Sequence, residues 1–257
     1  MPCVSVQWGA GLAHWLIIMS DFTYYGDLVG MSSLYAASPN EAYKRLNTYY
    51  NTTFFGLSSY YEANQTRKVE MYSDSIVVRG DSPGIFIETL ACVYGSLLKD
   101  GLLLKGGLVS GRFEYDVRIQ ADNYQKKLPN SDVLARAVSL EKKVKGSRLI
   151  VESEVAHELL QRCPEWITLE GYLRNPKLGN RDLKLQRSLI PLPDGSAYEV
   201  LYPVIEAPEE AIVDKRISEL DYMITALPKE VSVHHTETKR LYEHSRKRLA
   251  HQMGDEA

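Results

Sequence analysis

The sequence predicts an α+β fold: a ferredoxin-like β-α-β-β-α-β kernel with a mainly antiparallel sheet, followed by C-terminal helices. Three observations predict it. Strand-type stretches at 14–26, 67–79 and 102–115 alternate with helix-type stretches from about Pro39 and over 84–101. The middle stretch, RKVEMYSDSIVVR, alternates apolar and polar residues on either side of Asp74, as the two arms of a hairpin do. From Pro208 onward the texture changes to charged, amphipathic helical patterns.

Each element has a local reason. HWLIIMSDFTYYG (14–26) is rich in aromatic and β-branched residues and reads as a central strand. Asp27 ends it, and Gly30 with the small residues after it opens a turn into a helix. Ala42, Leu46, Tyr49 and Tyr50 recur at helical spacing, which places a helix from about Pro39 with Ser38 as its cap. GIFIETLACVYGSLLKDG (84–101) reads as a mostly buried helix ending at Gly101. In the strand LLLKGGLVSGRFEY (102–115), Gly106 and Gly107 imply a bulge or a close backbone approach.

NSDVLARAVSLEKKV (130–144) is an amphipathic helix with Val133, Leu134, Ala137 and Leu140 on its apolar face. SRLIVES is a short strand, and SEVAHELLQRC a helix capped by Ser153. ITLEGYL and AYEVLYPV read as late strands flanking a basic loop, KLGNRDLKLQR (177–187). PEEAIVDKRISELDYMITAL and HHTETKRLYEHSRKRLAHQM close the chain as two helices, with a frayed MGDEA end. The expected organisation is a domain over 1–207 and a helical extension over 208–257, packed on that domain or on a dimer.

Composition narrows the function. With 257 residues, 44% hydrophobic and 25% charged, the chain is ordinary for a globular protein with a substantial core. A net charge of −3 argues against a nucleic-acid or membrane-surface partner. Cys3, Cys92 and Cys163 are odd in number and lack a CxxC, which favours reduced thiols in the cytoplasm. WLIIM (15–19) is too short to span a bilayer and has no basic leader, so no signal peptide is expected. His234-His235, His244 and His251 lack partners at metal spacing and read as solvated. Gly106-Gly107 is not a Walker loop, and no GxSxG occurs.

In a β-α-β-β kernel the first strand lies beside the hairpin, so Asp27 and the hairpin-tip Asp74 are expected to face each other. Two like charges held close need a cation. Oxygen ligands select Mg²⁺ or Mn²⁺, and a pair of such ions suits a phosphoryl-type displacement. The backbone N–H groups of Val29 to Ser32 would suit the phosphates of a nucleotide. On the residues alone, Asp27 as a helix cap and Asp74 as a turn residue serve equally well.

DLVGMSSL followed by NEAYKRLNTYY resembles the opening of class III nucleotidyl cyclase catalytic domains: a strand ending in Asp, an aliphatic-x-Gly turn, then a helix carrying Leu-Asn, here Leu46-Asn47. KVEMYSDSIVV resembles the family's hairpin with its second metal-binding Asp. LLLKGGLVSG resembles its next core strand, and LARAVSLEKKVKGSRLIVES its later helix and strand. The similarity runs from about Trp15 to Leu160. The chain looks most like the stand-alone pyrimidine cyclases of bacterial Pycsar anti-phage defence.

The resemblance implies two Mn²⁺ or Mg²⁺ ions on Asp27, the Leu28 carbonyl and Asp74. It implies nucleotide contacts from Leu28, Val29, Gly30 and Met31, and base reading by Glu70. Glu70 argues against adenine and leaves uracil and guanine open. Asp21, six residues before Asp27, is a rival ligand, but Gly30 and the distance to Leu46-Asn47 favour Asp27. The family's Asn and Arg, which steady the transition-state phosphate, correspond to Ala135 and Ser139. Arg136 or a residue of the basic loop would have to substitute, from the same or a partner chain.

The implied activity is a uridylate (or cytidylate) cyclase in a head-to-tail homodimer. It would make a 3′,5′-cyclic second messenger such as cUMP for a separate effector. A guanylate cyclase and a catalytically inactive nucleotide binder are the rivals.

Overall fold

A computed structural model describes residues 20–118, 126–174, 187–206, 209–227 and 229–254. Its organising strand is β1 (Phe22–Leu28), buried along most of its length. After β1 come α1 (Met31–Ala37) and α2 (Pro39–Glu62), then β2 (Lys68–Tyr72), β3 (Ser75–Gly80), α3 (Pro83–Lys99) and β4 (Leu104–Ser110). These strands lie in the order β2-β3-β1-β4 with every neighbour antiparallel, which is the kernel the sequence predicts. Both crossovers skip one strand: β1 to β2 around β3, and β3 to β4 around β1.

The chain continues through α4 (Val133–Lys142), β5 (Leu149–Glu152), α5 (Ser153–Arg162), β6 (Trp166–Thr168), α6 (Leu169–Arg174), β7 (Arg187–Pro191), β8 (Ala197–Val200) and α7 (Tyr202–Glu206). The four later strands extend the sheet beyond β4 in the order β5-β8-β7-β6. β4 with β5 and β6 with β7 are parallel, and the other described pairings are antiparallel. The fold class is α+β with a mainly antiparallel sheet.

Strand alternation gives the sheet two faces. Phe22, Tyr24 and Leu28 point into a core shared with α2 and α3. Val77, Val109 and Ile150 point the other way, into a smaller core under Val133, Ala137 and Leu140 of α4. The apolar face expected for 130–144 is therefore the packed one, with Leu134 at its margin.

Gly106 and Gly107 mark close approach rather than a bulge, because the β1–β4 register runs through them unbroken. A Cβ on Gly107 would stand 2.5 Å from the Ala137 carbonyl oxygen. One on Gly106 would stand 2.3 Å from the Tyr24 ring. Two glycines on one strand thus let a helix backbone down on one face and a tyrosine lie flat on the other.

The chain has 17 tyrosines against 5 phenylalanines, partly explained by burial with a polar tip. The Tyr24 and Tyr94 hydroxyls meet at 3.2 Å. Tyr94 donates to the Arg148 carbonyl at 3.3 Å, and Tyr60 to the Asp81 carbonyl at 2.7 Å.

Several boundaries differ from expectation. Within the stretch 14–26, residues 14–19 lie outside the described part, and the strand begins at Phe22. Ser153 is the first residue of α5, not its cap; Glu152 precedes it in extended conformation. ITLEGYL is a strand only through Thr168, whose hydroxyl accepts the Gly171 amide and starts α6. AYEVLYPV leaves the sheet after Val200; Pro203, which has no N–H for a ladder, falls in the first turn of α7. The basic loop over 177–186 lies outside the described residues.

α8 (Glu210–Ala226) and α9 (Lys229–Gly254) pack on each other and against the rest of the chain. Leu241, Tyr242 and Leu249 of α9 join the main core. The His234 ring accepts the Gly146 amide at 3.1 Å, and Thr238 accepts the Ser147 amide at 2.8 Å. Arg248 donates to Ser188 at 2.9 Å. Among the described residues no helix is long and apolar enough to cross a membrane.

Candidate functional site

The end of β1 is where the sheet gathers acidic side chains. Asp27 pairs with Ser75 on one side and with Lys105 on the other. Paired residues of an antiparallel sheet share a face, so Asp27, Ser75 and Lys105 form one row on the α4 side. Tyr72 of β2 extends that row through its own pairing with Ser75. Between Tyr72 and Ser75 the chain reverses through Ser73 and Asp74, with Ser73 at φ 54°. A positive φ at the first turn position suits the twist of a two-residue hairpin.

The hairpin tip is tied to β1. The Leu28 amide donates to the Asp74 carbonyl at 2.9 Å. Ser75 Oγ donates to Asp27 Oδ1 at 2.9 Å, and Tyr25 Oη lies 3.0 Å from the same Ser75 Oγ. The electrostatics follow from this crowding. Burial raises the Asp27 carboxyl above its ordinary range, the Ser75 bond pulls it back down, and the field of Asp74 raises it again. The turn that carries Asp74 is thus held beside Asp27, whose carboxyl feels Asp74 as a like charge.

Sequence reasoning missed the surrounding residues. Lys105 places its ammonium on the buried Glu141 carboxylate of α4, and both contribute to the field at Asp27. Nothing in the sequence announces this pair, because it depends on the β1–β4 register. Ser75 and Tyr25 carry a weak signal: Ser75 follows Asp74 directly, and Tyr25 lies two residues before Asp27, hence on its face.

The remaining candidates are distributed as follows. Gly30 (φ 85°) precedes α1, as the left-handed turn there requires. The Val29 amide is engaged by the Leu103 carbonyl at 2.9 Å, so it does not point freely at a ligand. Met31 is buried at the start of α1. Glu70 lies on the Asp27 face, on edge strand β2. Its Oε2 accepts from Arg79 at 3.0 Å and its Oε1 from Tyr72 at 3.1 Å. Arg79 also donates to Glu114 and the Phe113 carbonyl.

Arg136 is not brought to the carboxylates within one chain. It donates to the Ser110 carbonyl at 2.8 Å and pairs with Glu152. Ser110 pairs with Phe22, at the opposite end of β1 from Asp27. Five residues of strand, about 17 Å, separate the two rows. Asp21 lies at that far end too, beside Arg112.

The donor set suits a hard divalent cation that keeps water and phosphate oxygens among its ligands. The Asp74 turn adjoins Asp27, the Ser75 bond occupies Oδ1 of Asp27 rather than Oδ2, and no other hydrogen bond reaches that carboxylate among the described residues. No group of three or more His, Cys, Asp or Glu side chains forms a closed cage among the described residues.

The class of protein defined so far is an α+β domain with two aspartates at adjoining strand ends. No protein-family model and no curated protein matches the chain. Solved structures do show similarity. The adenylyl cyclase CyaB from P. aeruginosa is 14% identical over 55% of this chain and 81% of its own, with a TM-score of 0.45. The guanylyl cyclase Cya2 is 15% identical over 70% of this chain and 91% of its own, also at 0.45. Adenylate cyclases from Trypanosoma brucei reach 0.46 at 10% identity, over 73% of this chain and 90% of theirs. Likeness of this grade assigns neither a family nor an activity.

Proposed function

We propose that the chain is a nucleotidyl cyclase that converts a nucleoside triphosphate into its 3′,5′-cyclic monophosphate and pyrophosphate. The observation that carries this reading is the backbone tie that holds the Asp74 turn at the Asp27 end of β1, where the field of Asp74 helps to raise the Asp27 carboxyl. Asp27, the Leu28 carbonyl and Asp74 would hold two Mn²⁺ or Mg²⁺ ions. When bound, such ions acidify the ribose 3′-hydroxyl and neutralise the triphosphate.

The chain's own residues supply the rest. The segment Leu28 to Met31 lies against the triphosphate. Lys105, across the strand from Asp27, stands at the same end, with its charge held by Glu141. Glu70 reads the Watson–Crick edge of the base through acceptor capacity left after its bonds to Arg79 and Tyr72. UTP is the preferred substrate, CTP next and GTP the purine rival.

Because Arg136 stands about 17 Å along β1 from its own Asp27, its help at the transition state would come from the partner in a head-to-tail homodimer. The catalytic domain would be 1–207, with 208–257 as its helical extension. The product would act in the cytoplasm as a second messenger for a separate anti-phage effector.

A second reading is a cyclase-like nucleotide binder without catalysis, favoured by Ala135 and Ser139 at the positions of the family's Asn and Arg. The test is incubation with each of the four labelled NTPs and Mn²⁺, resolved by thin-layer chromatography beside Asp74→Asn and Glu70→Ala. Cyclic UMP from the wild type, lost in Asp74→Asn, is the expected result. Product from ATP alone refutes the base reading, and no cyclic product from any NTP favours the binder.

A further inference from the structure

We propose that Ser75, backed by Tyr25, is the positioning residue that aims the Asp27 carboxylate at its metal ions. This rests on the cyclase reading and adds two residues to it. Asp27 in its ionised form only accepts hydrogen bonds. Ser75 has one hydroxyl hydrogen, and that hydrogen is committed to Asp27 Oδ1 at 2.9 Å. At the 3.0 Å contact with Tyr25, Ser75 Oγ must therefore accept and Tyr25 must donate. The direction of the whole chain is fixed: Tyr25 Oη–H to Ser75 Oγ–H to Asp27 Oδ1.

Hydrogen bonds in series polarise one another, and the final bond is assisted by the carboxylate charge. The chain spans adjacent strands, with Tyr25 and Asp27 on β1 and Ser75 on β3. Ser75 is also the covalent neighbour of Asp74. One residue thus sets the rotation of the Asp27 carboxylate and links it to the backbone that carries Asp74. With Oδ1 engaged by Ser75, Oδ2 would be left to hold the ions. Groups that orient metal ligands in this way change metal affinity by about 10- to 100-fold when removed.

Binding of Mn²⁺ is measured by the loss of the free-ion electron paramagnetic resonance signal, without nucleotide. Steady-state rates are measured against Mn²⁺ concentration in parallel. Ser75→Ala is expected to weaken Mn²⁺ binding about 10-fold or more, and Ser75→Thr, which keeps the hydroxyl, to restore most of it. Tyr25→Phe is expected to weaken it less. The double variant Ser75→Ala with Tyr25→Phe should match Ser75→Ala alone, because Tyr25 acts only through Ser75.

Unchanged Mn²⁺ binding in Ser75→Ala, or full additivity in the double variant, overturns the inference and leaves the cyclase reading standing. A wild type that binds no Mn²⁺ overturns both. If Ser75→Ala does not fold, Tyr25→Phe decides: normal binding in that variant overturns the relay.

Discussion

The Leu28 amide donates to the Asp74 carbonyl at 2.9 Å, so a backbone bond, beside the Ser75–Asp27 side-chain bond, holds the hairpin tip against the end of β1. Side-chain changes at 27 or 74 are therefore expected to leave that backbone tie in place. Asp27→Asn is expected to fold, keep an acceptor for Ser75, and lose cyclic product by at least about 100-fold. It should also be more stable than the wild type at neutral pH. The Asp27 carboxyl is raised in the folded state, first by burial and then, against the Ser75 bond, by Asp74. The folded state thus holds this proton more tightly than the unfolded chain, and stability falls as pH rises from the ordinary carboxylate value of 3.8 through the raised one. Thermal denaturation of both proteins from pH 4 to 8 checks this: the advantage of Asn should grow as pH rises through that window.

Arg136, on α4, and Asp27 stand at opposite ends of β1, which makes a complementation test decisive for a two-chain site. Arg136→Ala and Asp74→Asn are each expected to be inactive as homodimers. Mixed and re-equilibrated in equal amounts, they should recover about a quarter of wild-type activity, since half the dimers carry one intact site of two. No recovery means that Arg136 does not act across the interface.

Gly107 has no room for a methyl group, because the obstacle is the Ala137 backbone oxygen at 2.5 Å rather than a movable side chain. Gly107→Ala should push α4 off the sheet and cost about 1–3 kcal/mol, read as a lowered urea midpoint. Gly30→Ala meets no atom within 4 Å and is strained only through its φ of 85°, so it should cost less, about 1–2 kcal/mol.

His234 accepts the Gly146 amide through Nδ1 and so must be neutral there. Burial lowers its proton affinity, and the nearby positive charges of Lys105 and Lys145 and the ring of His235 lower it further. The unfolded chain therefore binds the proton more tightly. Stability should be full above the ordinary imidazole value of 6.5 and decline as pH falls below it. Replacing His234 by Asn, which keeps an acceptor but cannot charge, should flatten part of that decline in thermal melts from pH 7.5 to 5.5.

The sequence by itself determined the kernel. Period-2 alternation around Asp74 and helical spacing after Pro39 are local properties, and they fixed the element order β-α-β-β-α-β and with it the neighbourhood of Asp27 and Asp74. Pattern could not say whether Gly106-Gly107 was a bulge or a close approach, because that depends on Tyr24 and Ala137, distant in the chain. It could not separate strand from helix in ITLEGYL or LYPV, where short apolar runs carry no decisive period.

Only the tertiary structure decided which side chains share a row. The antiparallel registers set Ser75 and Lys105 beside Asp27, put Glu70 under Arg79, and sent Arg136 to the far end of β1. A shift of one residue in either register would turn these side chains to the opposite face. Register is fixed by the packing of both sheet faces at once, and no stretch of sequence contains that information locally.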